Sequence, residues 1–345
     1  MPTPVTVVVT SDRYGNETSG LETERALAAA ATDLAIDLRG APSTTEDELI
    51  AAGAEADALL VSTREAVTRR VLEHLPRTRV VSRYGVGLDN VDLDAATDAG
   101  IVITHYPGYC TAEVADHALA LLLALNRRLV ELDRDLRDGA WVRNGPATGL
   151  ILRGPVPPLR ELAVGIVGFG RIGRSVAERL RPFGPEILVA DPYVEPAVVE
   201  AAGAVPLPLD DLLARADAVT VHCPLTPETR GLFDANRLGR MKPGAILVNT
   251  ARGPIVDLDA LVPALERGAL AGAGLDVVYP EPLPAGHPLY ALPNVILTPH
   301  SAYYSERSVE VVRRETFNEA LAVLRGHRPR TVANPAVLAK VHLAP

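Results

Sequence analysis

Several features are scarce or missing in this sequence of 345 residues. It has only two cysteines, Cys110 and Cys223, which excludes a disulfide framework and predicts a reducing compartment, the cytoplasm. No apolar run is long enough to span a membrane, and the N-terminus lacks the basic residues that begin a signal peptide. The net charge of −9 is not offset by a basic cluster, which argues against nucleic acid as a partner. We therefore expect a globular protein that binds neither membranes nor nucleic acid.

The most informative stretch is Val164–Gly173, in which an apolar run breaks at Gly168, Gly170 and Gly173 and passes into a helical pattern. A strand, a glycine-rich turn and a helix N-terminus together form a binding site for a diphosphate. Gly168 permits the tight turn, Gly170 lets phosphate oxygens approach the backbone, and Gly173 lets helix and strand pack closely. About twenty residues after the motif, the next apolar run ends in Asp191, whose carboxylate suits the ribose hydroxyls. Because that carboxylate would repel a 2′-phosphate, the pattern predicts NAD rather than NADP.

Strand-like and helical segments alternate along the chain, which is typical of doubly wound parallel sheets. In the first third, the predicted strands are 5–10, 58–61, 79–82 and 101–104, and the predicted helices are 22–34, 68–74 and 92–99. After the glycine motif, the predicted strands are 186–190, 218–222, 245–249, 272–276 and 295–298, with a helix over 258–267. A long helix over 111–129 leads out of the first domain, and a final helix over 305–324 returns to it.

Three further predictions are structural. Residues 139–143 and the proline-rich residues 154–159 are expected to form an irregular arm with the only tryptophan, Trp141, and a partner subunit is a suitable place for it to pack. The tail after Gly326 is expected to be extended and partly loose. His117 on the helix over 111–129 is interpreted as an interfacial histidine with satisfied hydrogen bonds rather than as a catalytic one.

Residues 82–92 follow a predicted strand and contain two glycines, Gly85 and Gly87. Backbone N–H groups that such a turn leaves open form a nest for an anion. An ordinary connection between a strand and a helix has the same spacing, and on spacing alone it is the favoured interpretation. Both interpretations stay open at this point.

Three side chains whose functional groups suit catalysis follow predicted strands of the second domain: Arg252, Glu281 and His300. Ligands of open parallel sheets bind beyond the carboxyl ends of the strands, where the glycine turn also lies. Reduction of a 2-keto acid needs a cation for the carboxylate and carbonyl, and an arginine offers a bidentate fork. It also needs a proton donor, such as a histidine, and a carboxylate that orients the imidazole. Singly, these residues are equally compatible with an ion pair, a loop acid and a strand-end cap, but together they predict a catalytic set.

Three other polar residues lie at strand ends. Asp276 is predicted to contact the nicotinamide end of the cofactor rather than to transfer a proton. His222 and Cys223 supply only adjacent ligands without a matching second pair, so no metal site is predicted. They are interpreted as the wall of the cofactor cleft.

The sequence resembles the D-isomer-specific 2-hydroxyacid dehydrogenases over nearly the whole chain. The matching motifs are Tyr84–Asp92, Gly168–Gly173, Asn249–Gly253, Asp276 followed by Glu281 and Pro282, and Pro299 followed by His300. The resemblance implies a Rossmann NAD-binding domain (106–300) inserted into a discontinuous flavodoxin-like substrate domain (1–105 and 301–345), with a cleft that closes between them. It also implies a homodimer built through the nucleotide domain.

The resemblance also implies roles for individual residues. Arg252 binds the substrate, His300 is the proton donor, and Glu281 supports His300. Together with the glycine motif, the implied cofactor contacts are Val86, Gly168, Phe169, Gly170, Arg171, Ile172, Asp191, Cys223, Pro224, Leu225, Thr229, Thr250, Ala251, Arg252, Asp276, His300 and Tyr303. The predicted substrate contacts are Tyr84, Gly85, Val86, Gly87, Arg252, His300 and Tyr303, and the side-chain pocket is assigned to Tyr84, Tyr106 and Tyr303.

Within the family, the ending His300–Glu306 is most similar to the C-terminal-binding-protein branch, whose animal members are transcriptional corepressors that keep a dehydrogenase site. That branch has a tryptophan where this chain has Tyr303, so the substrate pocket is expected to differ. Relatives specific for phosphoglycerate usually have an arginine near Ser62, and its absence argues against that substrate. Formate-oxidising relatives pair their histidine with glutamine, whereas Glu281 favours hydroxy-acid chemistry.

The predicted function is therefore that of an NAD-dependent oxidoreductase interconverting a D-2-hydroxy acid and its 2-keto acid. One alternative is an NAD(H)-sensing scaffold, whose partner binding depends on closure around the cofactor. Another is a dehydrogenase of phosphite or a similar small oxyanion that uses the same arginine and histidine. The intact set of Arg252, Glu281 and His300 favours catalysis, because a pure scaffold has no need of it.

Overall fold

The computed structural model describes residues 4–11, 13, 14, 20–144 and 156–344. The chain divides into two compact units, a first unit of Met1–Tyr109 with Ser305–Pro345 and a second unit of Cys110–Tyr304. Along the sequence, the second unit is therefore an insertion in the first. The boundaries implied by the resemblance, after 105 and after 300, each lie four residues before those of the structure.

Twelve strands and thirteen helices are described. The strands are, in chain order, β1 Val5–Val9, β2 Ile36–Gly40, β3 Ala58–Val61, β4 Val80–Arg83, β5 Val102–His105, β6 Ala163–Val167, β7 Glu186–Ala190, β8 Val205–Pro206, β9 Ala218–Val221, β10 Ala245–Asn249, β11 Leu270–Leu275 and β12 Val295–Leu297. The helices are, in chain order, α1 Glu22–Ala30, α2 Glu46–Gly53, α3 Arg69–Glu73, α4 Leu93–Asp98, α5 Thr111–Asn126, α6 Leu129–Arg137, α7 Ala140–Asn144, α8 Arg171–Leu180, α9 Pro196–Ala201, α10 Leu209–Arg215, α11 Ala235–Arg240, α12 Leu258–Glu266 and α13 Glu306–Leu324. None of these described helices combines the length and the apolar character that crossing a membrane requires.

The first unit is built on a parallel sheet of order β2-β1-β3-β4-β5. Successive residues of a strand point to opposite faces, and here both faces are covered, since Val7 and Val8 belong to different buried clusters. The order is the flavodoxin-like one, as predicted. The sequence predictions omitted β2, which lies at the edge of the sheet and alternates apolar and polar residues.

The final helix, α13, packs on the first unit, as its sequence pattern predicted. Ser305 begins it with a capping box, in which its side chain and that of Ser308 each accept a backbone N–H of the other. Phe317 and Leu321 are buried in the same cluster as Val7. The face of α13 that carries apolar side chains is therefore the face that packs against the sheet.

The tail after Gly326 is packed, which corrects the expectation that it is partly loose. Asn334 is buried, its Oδ1 accepts the Ile103 N–H (2.9 Å), and its Nδ2 donates to the Ile101 carbonyl (2.9 Å). Val337 is fully buried in the core of the first unit. The prediction was wrong because the tail is attached by one polar side chain and by a few apolar residues that form no extended periodic pattern in the sequence.

A charged cluster lies inside the first unit. The Glu24 carboxylate is fully buried and accepts hydrogen bonds from Arg313 Nε (3.0 Å) and from the Tyr84 hydroxyl (3.0 Å). The Arg313 guanidinium lies 5.0 Å from the centroid of the Tyr14 ring. A buried charge that has a partner of opposite sign is tolerated, whereas removal of the partner is strongly destabilising.

The second unit is built on a parallel sheet of order β12-β11-β10-β9-β6-β7-β8. From β8 to β11 this is the strand order of a dinucleotide-binding fold, in which the direction of winding changes between β6 and β9. Buried apolar clusters cover both faces of the sheet. The predicted fold class, two doubly wound parallel α/β sheets with a Rossmann unit inserted in the other, is confirmed.

The first part of the second unit, before the glycine turn, differs from the sequence predictions. The helix expected over 111–129 ends at Asn126, because Arg128 adopts a left-handed backbone conformation (φ 55°) and pairs with Glu131 in the next helix. Residues 140–144 form the short helix α7 rather than an irregular segment. Of the proline-rich residues 154–159, positions 154 and 155 lie outside the described residues, and Leu159 begins a single helical turn.

Glu24→Ala is expected to lower the free energy of unfolding by about 3 kcal/mol, because it leaves the Arg313 guanidinium buried without its carboxylate. Asp33→Ala is the matched control, since Asp33 forms an exposed pair with Arg325, and it should leave the urea midpoint nearly unchanged. Urea unfolding followed by circular dichroism measures both variants. Equal midpoints for the two variants would contradict the prediction.

Candidate functional site

The glycine turn of the second unit joins β6 to α8. Gly168 has a positive φ (93°), and a Cβ there would lie 2.5 Å from the Cys223 backbone nitrogen. A Cβ at Gly173 would lie 2.1 Å from the Gly168 carbonyl oxygen, whereas one at Gly170 would point into open space. Gly168 and Gly173 are therefore required by the fold, and Gly170 leaves room at the N-terminus of α8 for a ligand.

Asp191 follows β7, and its carboxylate forms hydrogen bonds with both the glycine turn and the loop after β7. Its Oδ2 accepts the Phe169 N–H (2.7 Å), and its Oδ1 accepts the Tyr193 N–H (2.9 Å). The Phe169 carbonyl in turn accepts a hydrogen bond from Arg174 Nε (3.0 Å). The turn is thus held from both sides before any ligand binds, with the carboxylate beside the open helix N-terminus.

A cavity of about 550 Å³ lies beside this turn. This volume is within the range of small-molecule sites, and the walls are mostly apolar. The predicted cofactor residues that line it are Gly168, Asp191, Cys223, Pro224 and Thr229. A mostly apolar cavity with Asp191 in its wall, next to an open helix N-terminus, fits the adenosine end of a dinucleotide.

His222 and Cys223 follow β9 and have no features of a nucleophilic pair. Burial raises the pKa of the Cys223 thiol to about 11, so the thiol is protonated near neutral pH. Burial lowers the pKa of His222 to about 3, and its Nε2 lies 2.9 Å from the Thr220 hydroxyl. Among the described residues, no group of three or more histidine, cysteine, aspartate and glutamate side chains is placed to hold a metal ion.

The turn that carries Arg252 follows β10 and is clamped by a buried side chain. Asn249 Nδ2 donates to the Arg252 carbonyl (2.9 Å), and Asn249 Oδ1 accepts the Ala251 N–H (3.0 Å). A Cβ at Gly253 would lie 2.0 Å from the Val278 carbonyl oxygen, so this turn packs tightly on the segment that leads to Glu281. The backbone at Arg252 is therefore defined by its surroundings.

His300 and Glu281 are brought together, as the sequence analysis predicted. His300 Nδ1 lies 2.8 Å from Glu281 Oε1, and both side chains are partly exposed. The bond assigns the Nδ1 proton to the carboxylate side and leaves Nε2 as the nitrogen that exchanges a proton with a ligand. A histidine that a carboxylate orients in this way can act as a general acid–base.

Asp276 follows β11 and is almost completely buried. Its Oδ1 accepts the Thr298 hydroxyl (2.6 Å) and the Ser301 N–H (2.8 Å), and its Oδ2 accepts the Ala302 N–H (2.9 Å). Its carbonyl accepts the His300 N–H (2.8 Å). Asp276 therefore fixes the backbone of the His300 turn by hydrogen bonds. Its contact with the nicotinamide remains a prediction.

The turn over 84–87 belongs to the first unit. Gly85 has a positive φ (128°), and its carbonyl accepts the Tyr106 N–H (3.3 Å). His105 Nδ1 lies 2.8 Å from the Val86 carbonyl. Because both carbonyls are bound on the β5 side, the glycine conformation is compatible with a nest of N–H groups on the other side. The anion-binding interpretation of Gly85–Gly87 remains a prediction.

The three tyrosines assigned to the side-chain pocket differ in their surroundings. Tyr84 is buried with its hydroxyl on Glu24, and burial raises its pKa well above the usual value, so its side chain belongs to the core of the first unit. This corrects its assignment as a pocket side chain and leaves only its backbone for a ligand. Tyr106 lies under the Arg330 guanidinium, 5.3 Å from the ring centroid, and is half-buried. Tyr303 is half-buried beside Tyr304.

The remaining predicted cofactor residues lie in the second unit. Arg171 and Ile172 begin α8 directly after the glycine turn, and Leu225 packs against the core beside the cavity. The Thr250 hydroxyl is buried and has no hydrogen-bond partner among the described residues. A buried hydroxyl of this kind fits a polar ligand group at the turn after β10.

Comparisons with known proteins match this geometry to a family. Residues 119–302 match the model described as "D-isomer specific 2-hydroxyacid dehydrogenase, NAD binding domain". The chain is 40% identical over 298 residues to the glyoxylate reductase of Thermofilum pendens, covering 85% of this chain and 86% of that protein. The chain belongs to the D-isomer specific 2-hydroxyacid dehydrogenases. Its second unit is an NAD-binding domain, as the glycine motif predicted.

Other members of the family show how far the likeness extends. Identity to the D-3-phosphoglycerate dehydrogenase of Mycobacterium tuberculosis is 45% over 265 residues, which is 77% of this chain and 48% of that protein. The chain thus spans about half the length of the phosphoglycerate dehydrogenases that it matches. The crystal structure of the TT0316 protein from Thermus thermophilus is 40% identical, with a TM-score of 0.83, covering 95% of this chain and 100% of that one. The D-lactate dehydrogenase of Aquifex aeolicus, crystallised with NAD and lactic acid, is 28% identical, with a TM-score of 0.79, covering 99% of each chain.

These relatives show that the chain belongs to the family, but they do not assign it to one branch of the family. Their names are those of glyoxylate reductases, phosphoglycerate dehydrogenases and lactate dehydrogenases. The likeness of residues 300–306 to the C-terminal-binding-protein branch remains a prediction from that short segment.

Asp191→Asn is expected to reduce the preference for NADH over NADPH by about tenfold, because it removes the charge that repels a 2′-phosphate. The amide oxygen can still accept one backbone N–H of the turn, so the variant tests charge more than folding. Fluorescence titration with each cofactor measures the ratio of dissociation constants. An unchanged ratio would count against this role.

The alkylation rate of Cys223 by iodoacetamide is expected to rise about tenfold per pH unit from pH 8 to pH 10, because only the thiolate reacts and the thiol pKa is raised to about 11. Cys223→Ser is the control, since it leaves only the buried Cys110. Mass spectrometry of the labelled peptide gives the rate. A plateau near pH 9 would show an ordinary thiol.

Proposed function

We propose that the protein is an NAD-dependent oxidoreductase that interconverts a D-2-hydroxy acid and its 2-keto acid. The single observation that carries the proposal is the 2.8 Å contact between His300 Nδ1 and Glu281 Oε1 at the strand ends of an NAD-binding unit. A histidine oriented by a carboxylate is an acid–base group, which a unit that only binds a nucleotide does not need.

His300 is the proposed proton donor in the direction of reduction. Its Nε2 proton passes to the carbonyl oxygen of the 2-keto acid as that oxygen gains electrons, and the C=O bond becomes C–OH. Glu281 accepts the Nδ1 proton in a hydrogen bond, which fixes the orientation of the ring and directs Nε2 to the substrate. In the direction of oxidation the same nitrogen takes the hydroxyl proton.

Arg252 is the proposed anchor for the substrate carboxylate. Its guanidinium offers parallel N–H donors that match a carboxylate, and its charge also polarises the neighbouring carbonyl. Asn249 holds the backbone on both sides of this turn, so the arginine starts from a defined position. Orientation of this kind supplies rate by fixing the reacting atoms before the chemical step.

The bound NADH supplies the hydride that reduces the carbonyl carbon. The residues proposed to hold its adenosine end line the cavity beside Asp191, and the open helix N-terminus at Gly170 would receive the diphosphate. The buried Thr250 hydroxyl and the turn over 250–252 are proposed to bind near the nicotinamide end. Val86 and Tyr303 remain in the proposed cofactor set on the strength of the resemblance.

The backbone of Gly85–Gly87 is proposed as a second holder of the carboxylate. The positive φ of Gly85 and the bound carbonyls of Gly85 and Val86 are the observations that support a nest at this turn. A lower substrate affinity in Gly87→Ala, with an unchanged urea midpoint as the control for folding, is the expected result if this backbone holds the carboxylate.

Small substrates without a second negative charge are proposed. Where phosphoglycerate-specific relatives usually have an arginine, Ser62 donates from its N–H (3.0 Å) and from its hydroxyl (2.9 Å) to the carboxylate of Glu65. Glu65 is almost fully buried and also accepts from the Thr10 hydroxyl. A carboxylate at this position disfavours a phosphate nearby, which supports glyoxylate-like or pyruvate-like substrates.

A homodimer is also proposed. Helices α6 and α7 of the second unit present the exposed apolar side chains Leu129, Val130, Trp141 and Val142. Exposed large apolar side chains are typical of a surface that a partner covers. Light scattering after size exclusion gives the assembly, and Trp141→Glu should weaken it. The cytoplasmic location stays a prediction.

Turnover on a panel of substrates tests the proposal. NADH oxidation is measured with glyoxylate, pyruvate and 3-phosphohydroxypyruvate, and NAD reduction with phosphite. We expect activity with the small 2-keto acids and much less with the phosphorylated one. Activity only with phosphite would favour a small-oxyanion dehydrogenase, and NADH binding without any turnover would favour a scaffold.

His300→Ala is expected to lower kcat by at least about a hundredfold while the dissociation constant of NADH changes little, because general acid–base groups contribute factors of this size. Glu281→Gln keeps a hydrogen-bond acceptor without the charge and should give a smaller loss. Steady-state kinetics and NADH titration measure both variants. Full activity of His300→Ala would show that another group gives the proton.

A further inference from the structure

Helix α5 lies unusually close to strand β11. A Cβ at Gly274 would lie 3.0 Å from the Leu121 Cβ, and one at Gly272 would lie 3.0 Å from a Leu125 methyl group. The two glycines therefore provide the space in which the helix packs on the strand. Leu121 is buried in this contact, and Leu125 packs against the same cluster.

The spacing of this contact brings His117 to Asp276. Leu125, Leu121 and His117 are four residues apart on one face of the helix, and Gly272, Gly274 and Asp276 are two residues apart on one face of the strand. Four helical residues rise about 6 Å and two strand residues about 6.6 Å. Each of the three helix residues therefore lies opposite one of the three residues of the strand. His117 Nε2 lies 3.7 Å from Asp276 Oδ1.

A chain of hydrogen bonds connects His117 with the turn that carries His300. The Thr298 hydroxyl donates to Asp276 Oδ1 (2.6 Å), so the Thr298 oxygen is available as an acceptor. His117 Nε2 lies 3.0 Å from that oxygen and donates to it. Asp276 in turn accepts the N–H groups of Ser301 and Ala302. The imidazole thus orients the hydroxyl that completes the set of donors around Asp276.

The turn at His300 requires such support. His300 has a left-handed backbone conformation (φ 52°), which is unfavourable for a residue with a side chain and persists only where neighbours impose it. Its N–H and those of the next two residues all point at Asp276, to the carbonyl and to the two carboxylate oxygens. The direction of the His300 imidazole therefore depends on where the Asp276 carboxylate is held.

We propose that His117 is a positioning residue for catalysis, which acts through the Thr298 hydroxyl and the Asp276 carboxylate on the backbone turn of His300. The kinetic part of this proposal rests on the proposed function. In this role His117 exchanges no proton with the substrate. It orients the Thr298 hydroxyl, so that this hydroxyl donates to Asp276. His117 has a hydrogen-bond partner, Thr298, as expected from the sequence for a histidine whose hydrogen bonds are satisfied.

Matched variants test each link of the chain. His117→Leu removes the donor and His117→Gln restores one, while Thr298→Val removes the hydroxyl and Thr298→Ser restores it. We expect His117→Leu and Thr298→Val each to lower kcat about tenfold with KM and NADH affinity within about twofold of wild type, because coupling through a supporting network has this size. His117→Gln and Thr298→Ser should recover most of kcat. His74→Leu, at an exposed position of the first unit, is the control.

The double variant His117→Leu, Thr298→Val decides whether the two residues act in series. If His117 acts only through Thr298, the double variant has the same kcat as either single variant. Additive losses would overturn the proposed route, as would a His117→Gln variant that folds normally and is as slow as His117→Leu.

Amide hydrogen exchange of the protein without ligand gives a readout that does not require activity. Exchange in residues 300–302 should be about tenfold faster in His117→Leu and Thr298→Val than in wild type and in His74→Leu, because the turn opens more often. Unchanged exchange in these residues would overturn the proposal even if kcat falls. If wild type reduces no 2-keto acid, the proposed function fails, and the exchange rates alone decide whether His117 holds the turn.

Discussion

The position of Asp276 is the constraint on which the candidate active site depends. Its N–H donates to the Asn249 carbonyl at the end of β10, and its carbonyl accepts the His300 N–H beyond β12. Asn249 clamps the Arg252 turn by its side chain, and Asp276 clamps the His300 turn by its carboxylate. One residue at the end of the strand between them therefore links the turns that carry the proposed carboxylate anchor and proton donor.

The buried carboxylates of Glu24 and Asp276 are stabilised in different ways. In the first unit, Glu24 is compensated by the guanidinium of Arg313, so its burial depends on an opposite charge. In the second unit, the described donors to the Asp276 carboxylate are a threonine hydroxyl and two backbone N–H groups. Hydrogen bonds of this kind stabilise a buried carboxylate only while their geometry is kept. The Asp276 arrangement thus connects the stability of the buried charge with the shape of the His300 turn.

Much of the fold and of the site could be predicted from sequence, because the informative patterns are local. The glycines of the β6–α8 turn, the carboxylate of Asp191 after β7 and the pairing of Glu281 with His300 all follow from residue type and from position at a strand end. Edge strand β2 was missed because an edge strand is only half-buried and has no continuous apolar run. The tail after Gly326 was misjudged because Asn334 and a few apolar residues attach it, and neither leaves an extended periodic pattern in the sequence.

The sequence by itself determined the class of the fold, the dinucleotide-binding turn and the pairing of Glu281 with His300, since these depend on short-range patterns of burial, turn geometry and residue chemistry. Only the tertiary structure decided which way Tyr84 points, what Asp276 holds and what His117 contacts. Those contacts join atoms that are distant along the chain, and hydrogen-bond direction within a packed core depends on all neighbouring elements at once. A histidine on a helix and an aspartate after a strand become one network only when the glycines of β11 let α5 approach.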